Sequence, residues 1–482
     1  MRVIFVTDLF SIIEPMGAMQ LSAILKAHGH ETDICALQEG KTIDMIKTYG
    51  PQVIACSFMT TEAERFRLFV EKARQLFPYT VIIAGGPHPT YYPQIVDTWA
   101  LDAVVVGEGD MIIVPLLEGL IQRKSVRMLM NVHTKEFKNP QGDLVADLDS
   151  LPFADRELVA HKEPFNYIPM KTFFATRGCP YSCSYCFNSA FNLMHKGKGD
   201  ILRRRSVENL VTELGRVKAQ YRPDFMRFGD DTFVIKYDAW VEEFVEKYRS
   251  RIGVPFYCLI NPNLVEEKLI KALKTAGCYS VMMGIESGDE TIRRRVLERP
   301  VSDQSIKKAF KIFHELDIRV FSNTILALPE TTLQDDLESL EFTLDCRPAY
   351  SGFTVFTPFA GTSLGDYVSQ KGYMNLSDTM LKTIPVSMQA GSVLNTVTDR
   401  ERQIHRNILI LAPIANLFPW MRRLITRHWI YQKPNILFDL MGFCVRNYCN
   451  WRVFPFGISV VGFFSLLKKV FYIDKANYQD IG

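Results

Sequence analysis

Cys179, Cys183 and Cys186 form a C-x3-C-x2-C array within Thr176-Arg-Gly-Cys-Pro-Tyr-Ser-Cys-Ser-Tyr-Cys-Phe-Asn188. Three thiols in one short loop limit the fold more than any other feature, because the chain must deliver them together and close around whatever they hold. Soft sulfur ligands select zinc or iron–sulfur clusters. Three ligands rather than four is the informative number, since a cubane cluster held by three cysteines keeps one iron free for an exogenous ligand. A three-thiolate zinc site with a distant fourth ligand, or three buried structural cysteines, are the other readings. Zinc loops pair their cysteines as two separated C-x2-C knuckles, and the sequence has no second knuckle.

Two stretches alternate short apolar runs with helix-period segments. In the first, strands are expected at Arg2–Val6, Thr32–Ala36, Val53–Ser57, Thr80–Ala84 and Ala103–Val106. Helices are expected at Gly17–His28, Thr42–Tyr49 and Glu62–Leu76. Apolar strands alternating with helices imply a doubly wound parallel sheet, whose ligands bind beyond the strands' carboxyl ends. Ser57-Phe-Met-Thr60, Gly85-Gly-Pro-His-Pro-Thr90 and Gly107-Glu-Gly-Asp110 fall at those ends. Glycines there let a ligand approach the backbone closely. Glu118–Arg127 reads as a short helix and strand, and Lys135–Asp143 as a hairpin or turn.

The second stretch runs from about Thr172 to Leu364. Met170–Thr176 is the strand that delivers the cysteine loop, and Ser206 caps a Val207–Gln220 helix. Strands follow at Phe225–Phe228, Phe256–Ile260, Tyr279–Met283, Arg319–Ile325 and Tyr350–Thr357, with helices at Leu264–Ala276, Asp303–Glu315 and Asp335–Asp345. Six strands with helices between them predict a partial (βα)6 barrel, with active groups at the strand C-termini. The expected organisation is residues 1–135, a Rossmann-like unit; 136–168, a linker; 169–390, the partial barrel; and 391–482, a helical C-terminal region.

The cysteine spacing with its Tyr185–Phe187 edge resembles the radical S-adenosylmethionine (SAM) superfamily. Gly284-Ile-Glu-Ser-Gly288, Leu328-Pro-Glu330 and Pro358-Phe-Ala-Gly-Thr362 match further segments of that family. The first unit, with Pro15-Met-Gly17 and Lys26-Ala-His-Gly-His-Glu31, resembles the cobalamin domain that precedes the radical module in one large subclass. The D-x-H-x-x-G motif that supplies a histidine to cobalt in the methionine-synthase type is missing, as is usual in the radical subclass.

The resemblance implies a [4Fe-4S] cluster on Cys179, Cys183 and Cys186, with SAM on the open iron and cobalamin in the first unit. It implies SAM contacts from Tyr185, Phe187, Glu286 and Ser287, and from Asn261, although relatives often carry arginine at that position. Ser57, Thr60, Gly85, Gly86, His88 and Glu108 become cobalamin contacts, with loop capping the other reading for His88. Asp230, grouped with the cofactor contacts, and Asp231 could equally cap the following turn. An ionisable Glu286 amid Met-Met-Gly-Ile would be an odd choice for a core.

The implied reaction is reductive SAM cleavage, hydrogen abstraction from an unactivated carbon and methyl transfer through methylcobalamin. The electron donor would be of flavodoxin or ferredoxin type and the substrate a small molecule. A cyclase with the same cofactors, like the anaerobic magnesium-protoporphyrin ester cyclase, and a cobalamin- or metal-sensing protein without turnover are the alternatives.

Composition adds exclusions. Apolar residues make up 47% of the 482 and charged residues 23%, with a net charge of +3, so no nucleic-acid partner is implied. Seven further cysteines stand singly, which suits a reducing compartment, and the N-terminus lacks a signal-peptide layout; a cytoplasmic protein is expected. Residues 400–482 carry twelve Lys and Arg against four acids, an excess of eight positive charges. Their apolar runs, Ile408–Met421, Ile436–Val445 and Val453–Leu467, are shorter than the ~20 residues of a membrane span. With Arg422-Arg423 and Lys468-Lys469 beside Trp420, Phe463 and Phe464, they resemble an interfacial element. The expectation is a set of helices lining the substrate entrance, in peripheral contact with a membrane and serving a hydrophobic or lipid-like substrate; a helical cap over the barrel is the alternative.

Overall fold

The computed structural model describes residues 1–8, 12–38, 40–359, 361–374, 391–457 and 462. Its first sheet contains β1 (Arg2–Thr7), β2 (Glu31–Ala36), β3 (Val53–Ser57), β4 (Val81–Gly85), β5 (Ala103–Val105) and β6 (Val132–His133), in the order β2-β1-β3-β4-β5-β6. The first five strands pair in parallel and β6 closes the edge antiparallel. Successive residues of β1 serve opposite faces. Ile4 and Val6 pack with Ile46 and Phe66 of the Lys41–Tyr49 and Ala63–Leu76 helices, and Val3 and Phe5 with Met19 and Leu116 of the Met16–Ala27 and Ile113–Ile121 helices. Burial on both faces explains why the strand reads as an unbroken apolar run. The chain turns outward from β1 to β2 and returns to β3, which opens a crevice at their carboxyl ends.

One local expectation is corrected here. No strand lies within Glu118–Arg127: the helix runs Ile113–Ile121 and the edge strand comes later, at Val132–His133. The chain doubles back at Arg123, where φ is +53°, and Val126 packs so close under Gly119 that a Cβ there would come within 2.4 Å of it.

After β7 (Met170–Phe173), a short antiparallel pair, β8 (Thr176–Arg177) with β9 (Arg203–Arg204), brackets the cysteine loop. Then come β10 (Phe225–Phe228), β11 (Phe256–Leu259), β12 (Cys278–Glu286), β13 (Arg319–Leu326) and β14 (Tyr350–Val355). Together with β7 they form a six-stranded, all-parallel sheet, β14-β13-β12-β11-β10-β7. Its outer face is sealed by Leu210, Leu273, Phe310 and Phe313 of the intervening helices. Ser206 caps the Val207–Tyr221 helix as expected, accepting from the Asn209 N–H.

The two halves are riveted by a buried charge network. Arg156 reaches Glu14 (2.8 Å) and Glu213 (3.1 Å), and Glu14 also accepts from the Thr172 N–H (2.7 Å) and faces Lys171 (3.5 Å). Such charges are tolerable in the interior only because each has its partner.

In the described residues the tail takes the capping reading, its apolar faces covering the barrel, rather than that of a lining for a substrate entrance. Its Asp399–Leu417 helix packs Ile408 and Leu411 on Phe353 and Val355 of β14, the place of a sixth barrel helix. Cys449 and Val453, near the end of the Ile436–Val453 helix, pack with Met170, Phe225 and Tyr350, the first residues of their strands. The Val453 carbonyl accepts from Ser280 (2.6 Å). The tail therefore plugs the barrel at its amino end. Most of the Val453–Leu467 run, with Phe463, Phe464, Lys468 and Lys469, lies outside the described residues.

Candidate functional site

The cysteine loop is held at both ends. At its start, Asp230 follows β10, and its Oδ1 accepts from the N–H groups of Ala175 (2.8 Å) and Thr176 and from the Thr176 hydroxyl (2.7 Å). Next, Gly178 turns the chain with φ +89°, where a Cβ would stand 2.1 Å from the Ile201 carbonyl oxygen; no other residue fits. At its end, the Phe187–Met194 helix begins directly after Cys186, and Asn192 of that helix donates to the Cys179 carbonyl (2.9 Å). Cys179 and Cys183 are buried and Cys186 half-buried. Burial pushes all three thiols up, Cys186 to about 12. Among the described residues no three His, Cys, Asp or Glu side chains converge tightly enough to hold one ion. A cubane takes its thiolates at separate corners, and three cysteines on one loop supply three of them.

Glu286 ends β12 in the left-handed region, φ +68°, at a register shift against β13. Its carboxyl group folds back over Gly284, where a Cβ would lie 1.9 Å from Oε1. The Arg299 guanidinium stands 3.9 Å from Oε1, and Tyr185 and Asn323 lie close enough to the carboxyl to favour its charged form. Burial outweighs these partners and raises its pKa. Arg299 also donates to the Gly284 carbonyl (3.0 Å), and its charge favours the Cys183 thiolate. A continuous chain of contacts thus joins Cys183, Arg299, Glu286 and Tyr185. Glu286 Oε2 is buried without a partner, an arrangement that asks for a donor from a bound molecule.

Several expected contacts are placed elsewhere. Ser287, beyond the register shift, is turned to the Leu333–Asp345 helix, 3.4 Å from the Ser339 hydroxyl, and accepts from the Asp289 N–H. Asn261 caps its own Asn-Pro-Asn turn through the Asn263 N–H (3.0 Å). Neither side chain shares a hydrogen bond with Glu286. Asp230 does not cap the turn after it: its side chain anchors the start of the cysteine loop instead; burial lifts its pKa to about 7, and Oδ2 has no partner.

A cavity of about 600 Å³ lies between the carboxyl ends of the first sheet and the cysteine loop. Ser57, Gly85, Gly86 and Glu108 line one side, and Phe174, Phe187, Asn188 and Asp231 the other. Among the described residues no histidine lines it. His88 and Thr60 are the exceptions to the expected contacts here. They bond each other (3.2 Å) inside the core, where His88 stacks on Tyr92 at 4.5 Å and burial lowers its pKa to about 3. The glycine-rich rim and the apolar wall would suit the flat face of a corrin.

Phe187 joins both halves: its ring stacks on Tyr91 at 4.4 Å, and its carbonyl accepts from the Tyr91 hydroxyl (2.9 Å). Glu108 is locked between Arg177 (3.2 Å) and Arg203 (2.9 Å). Arg299, Arg177 and Tyr91 were not anticipated from sequence, nor was the pairing of Asp110 with Arg177. Arg177 carried a signal in its place beside Gly178-Cys179, whereas Arg299 and Tyr91 reach the site only through tertiary packing.

The profile of the radical SAM superfamily matches residues 173–343, and that of the B12 binding domain residues 2–116. The chain is 24% identical over 364 residues to an uncharacterised methyltransferase of Pyrococcus horikoshii, covering 73% of this chain and 78% of that one. It is 23% identical over 419 residues to the anaerobic magnesium-protoporphyrin IX monomethyl ester cyclase of Rubrivivax gelatinosus, covering 82% and 74%. Among solved structures, TsrM from Kitasatospora setae, a radical S-adenosylmethionine methyltransferase with tryptophan and a SAM analogue bound, superposes with a TM-score of 0.62. That match has 14% identity and covers 77% of this chain and 76% of that one, which speaks to the fold.

Proposed function

This chain belongs to the cobalamin-binding radical SAM enzymes, and from that premise we propose that it methylates an unactivated carbon of a small-molecule substrate within the cavity between its two halves. The observation that carries this reading is that one cavity is shared by the glycine-rich strand ends of the first sheet and the flank of the cysteine loop. When bound, the [4Fe-4S] cluster, SAM and cobalamin supply reductive SAM cleavage and a transferable methyl group; the chain supplies position and exclusion of water.

Cys179, Cys183 and Cys186 are the proposed cluster ligands, with Asp230 and Gly178 shaping their loop. Glu286, with its free Oε2, is the proposed acceptor for the amino or ribose groups of SAM, and Tyr185 and Arg299 hold its carboxyl in place. Ser57, Gly85, Gly86 and Glu108 form the proposed cobalamin wall, and Phe187 the partition between the two cofactors. Residues 1–135 and 169–390 would be the two cofactor units, joined by 136–168, with the described part of the C-terminal region, 391–457, as the barrel's plug. Electrons would come from a flavodoxin- or ferredoxin-type donor, and the protein would work in the cytoplasm in peripheral contact with a membrane.

The test is incubation of the anaerobically reconstituted protein with cell extract and methyl-labelled SAM. Label in a product together with deoxyadenosine supports methyl transfer. Deoxyadenosine without label transfer supports cyclisation, the activity named for the Rubrivivax relative. Neither product would remove both readings.

A further inference from the structure

The Ile436–Val453 helix is apolar on two faces. Phe438, Gly442, Cys449 and Val453 are buried against the barrel and the preceding helix. Leu437, Leu440, Cys444, Tyr448 and Trp451 recur at intervals of three and four, so they form a second stripe about 21 Å long. This stripe faces outward, with Leu437 58%, Leu440 59%, Tyr448 47% and Trp451 57% exposed. Ile436, one residue before Leu437, is 85% exposed and extends the stripe; Trp420 and Leu424 of the same tail are exposed as well. A contiguous patch of that kind marks an interaction site, whereas single exposed apolar residues do not.

Charge identifies the partner. The acids of the described tail are engaged: Asp399 with Arg402 (2.7 Å), Glu401 in the Thr398 cap (2.7 Å) and Asp439 with Arg406 (3.0 Å). Arg423, Arg427, Lys433 and Arg452 have no ion pair among the described residues. We propose that this face docks on an anionic phospholipid bilayer, with the helix lying in the plane of the interface. Leu437 and Leu440 enter the acyl boundary, Tyr448 and Trp451 sit at headgroup level, and the unpaired cations meet lipid phosphates. A second copy of this chain suits the patch poorly, because a two-fold contact would set one cationic rim against another. Crossing the membrane is a separate matter: among the described residues no helix is long and apolar enough. The inference rests on the peripheral contact proposed above and names its surface.

The experiment is flotation of the full chain with vesicles of phosphatidylglycerol and phosphatidylcholine, or of phosphatidylcholine alone, at low and high salt. A double variant, Leu440→Glu with Trp451→Glu, is run beside the wild type. The wild type should float with the anionic vesicles at low salt and be released at high salt. The variant should partition at least about tenfold more weakly, with its unfolding midpoint and cobalamin binding unchanged. Equal flotation of the two overturns the surface but leaves the peripheral contact standing. No flotation of the wild type overturns both, and neither result touches the methyl-transfer reading. A dimer in lipid-free solution that the variant breaks assigns the face to a second copy. A lowered unfolding midpoint in the variant assigns it to the chain's own packing.

Discussion

The Arg177 guanidinium donates to both carboxylate oxygens of Asp110, at 2.9 Å each. This fork fastens the residue two places before the first loop cysteine to the turn after β5. Asp110 is nearly enclosed, its side chain 6% exposed, and Arg177 is 28% exposed. The pair therefore fixes the cysteine loop against the wall of the cavity, where a point charge would leave it free to rotate.

Removing one partner of a buried pair leaves the other charge uncompensated, at a cost of about 3–5 kcal/mol. Arg177→Met should lower the unfolding midpoint and weaken cobalamin retention at least about tenfold, by that arithmetic. Arg177→Lys should recover only part of the loss, because an ammonium cannot match both oxygens. Equal behaviour of the Lys variant and the wild type would show that charge alone suffices.

Gly178→Ala introduces a Cβ 2.1 Å from the Ile201 carbonyl at a φ of +89°. Both defects fall on backbone, so neither relaxes cheaply. Iron content after anaerobic reconstitution should fall to near that of Cys183→Ala, the variant lacking one proposed ligand. Full iron in the Gly178→Ala protein would mean that the loop tolerates another path.

Asp230 gives a pH signature. Burial lifts its pKa from 3.8 to about 7 in the fold, so the folded state binds the proton more tightly than the unfolded chain. Its contribution to stability is complete below about pH 4 and is lost as pH rises through 7, a change of up to about 4 kcal/mol. Asp230→Asn keeps an oxygen to accept from Ala175 and Thr176 but has nothing to titrate. Unfolding midpoints compared at about pH 5 and about pH 8 should show the variant gaining on the wild type at the higher pH. Parallel changes in the two proteins would assign the slope to other groups.

Glu286→Gln removes the charge but keeps the shape above Gly284. The variant should fold, bind its iron and raise the KM for SAM, with SAM cleavage lowered by at least about tenfold, as expected when a charged hydrogen bond is lost. Wild-type cleavage kinetics would release Glu286 from SAM and leave it an Arg299 partner only.

Much of this architecture was legible in the residues. The unbroken apolar runs of β1 and β3 follow from burial on two faces, and the cysteine spacing required a loop after a strand. His88 misled because a histidine after Gly-Gly is equally at home in an aromatic box, and only packing on Tyr92 decides between the two. Ser287 misled because a register shift beside Glu286 reverses which neighbour faces the lumen. Arg299, and the pairing of Asp110 with Arg177, were invisible for another reason: the partners lie more than ten residues apart in sequence, so no local pattern marks the contact.

Cobalamin binding to a protein whose cavity has been filled tests the central claim most directly. Gly85 lines the cavity, and a Cβ there would meet only Val105, at 3.8 Å or more, so a large side chain can grow into the space without breaking the strand. The wild type should hold one cobalamin per chain, with the spectrum of cobalt lacking a histidine ligand. Gly85→Trp should hold almost none while keeping the wild-type iron content. Undiminished cobalamin in Gly85→Trp, or a wild type without affinity for cobalamin, would contradict the assignment of this cavity.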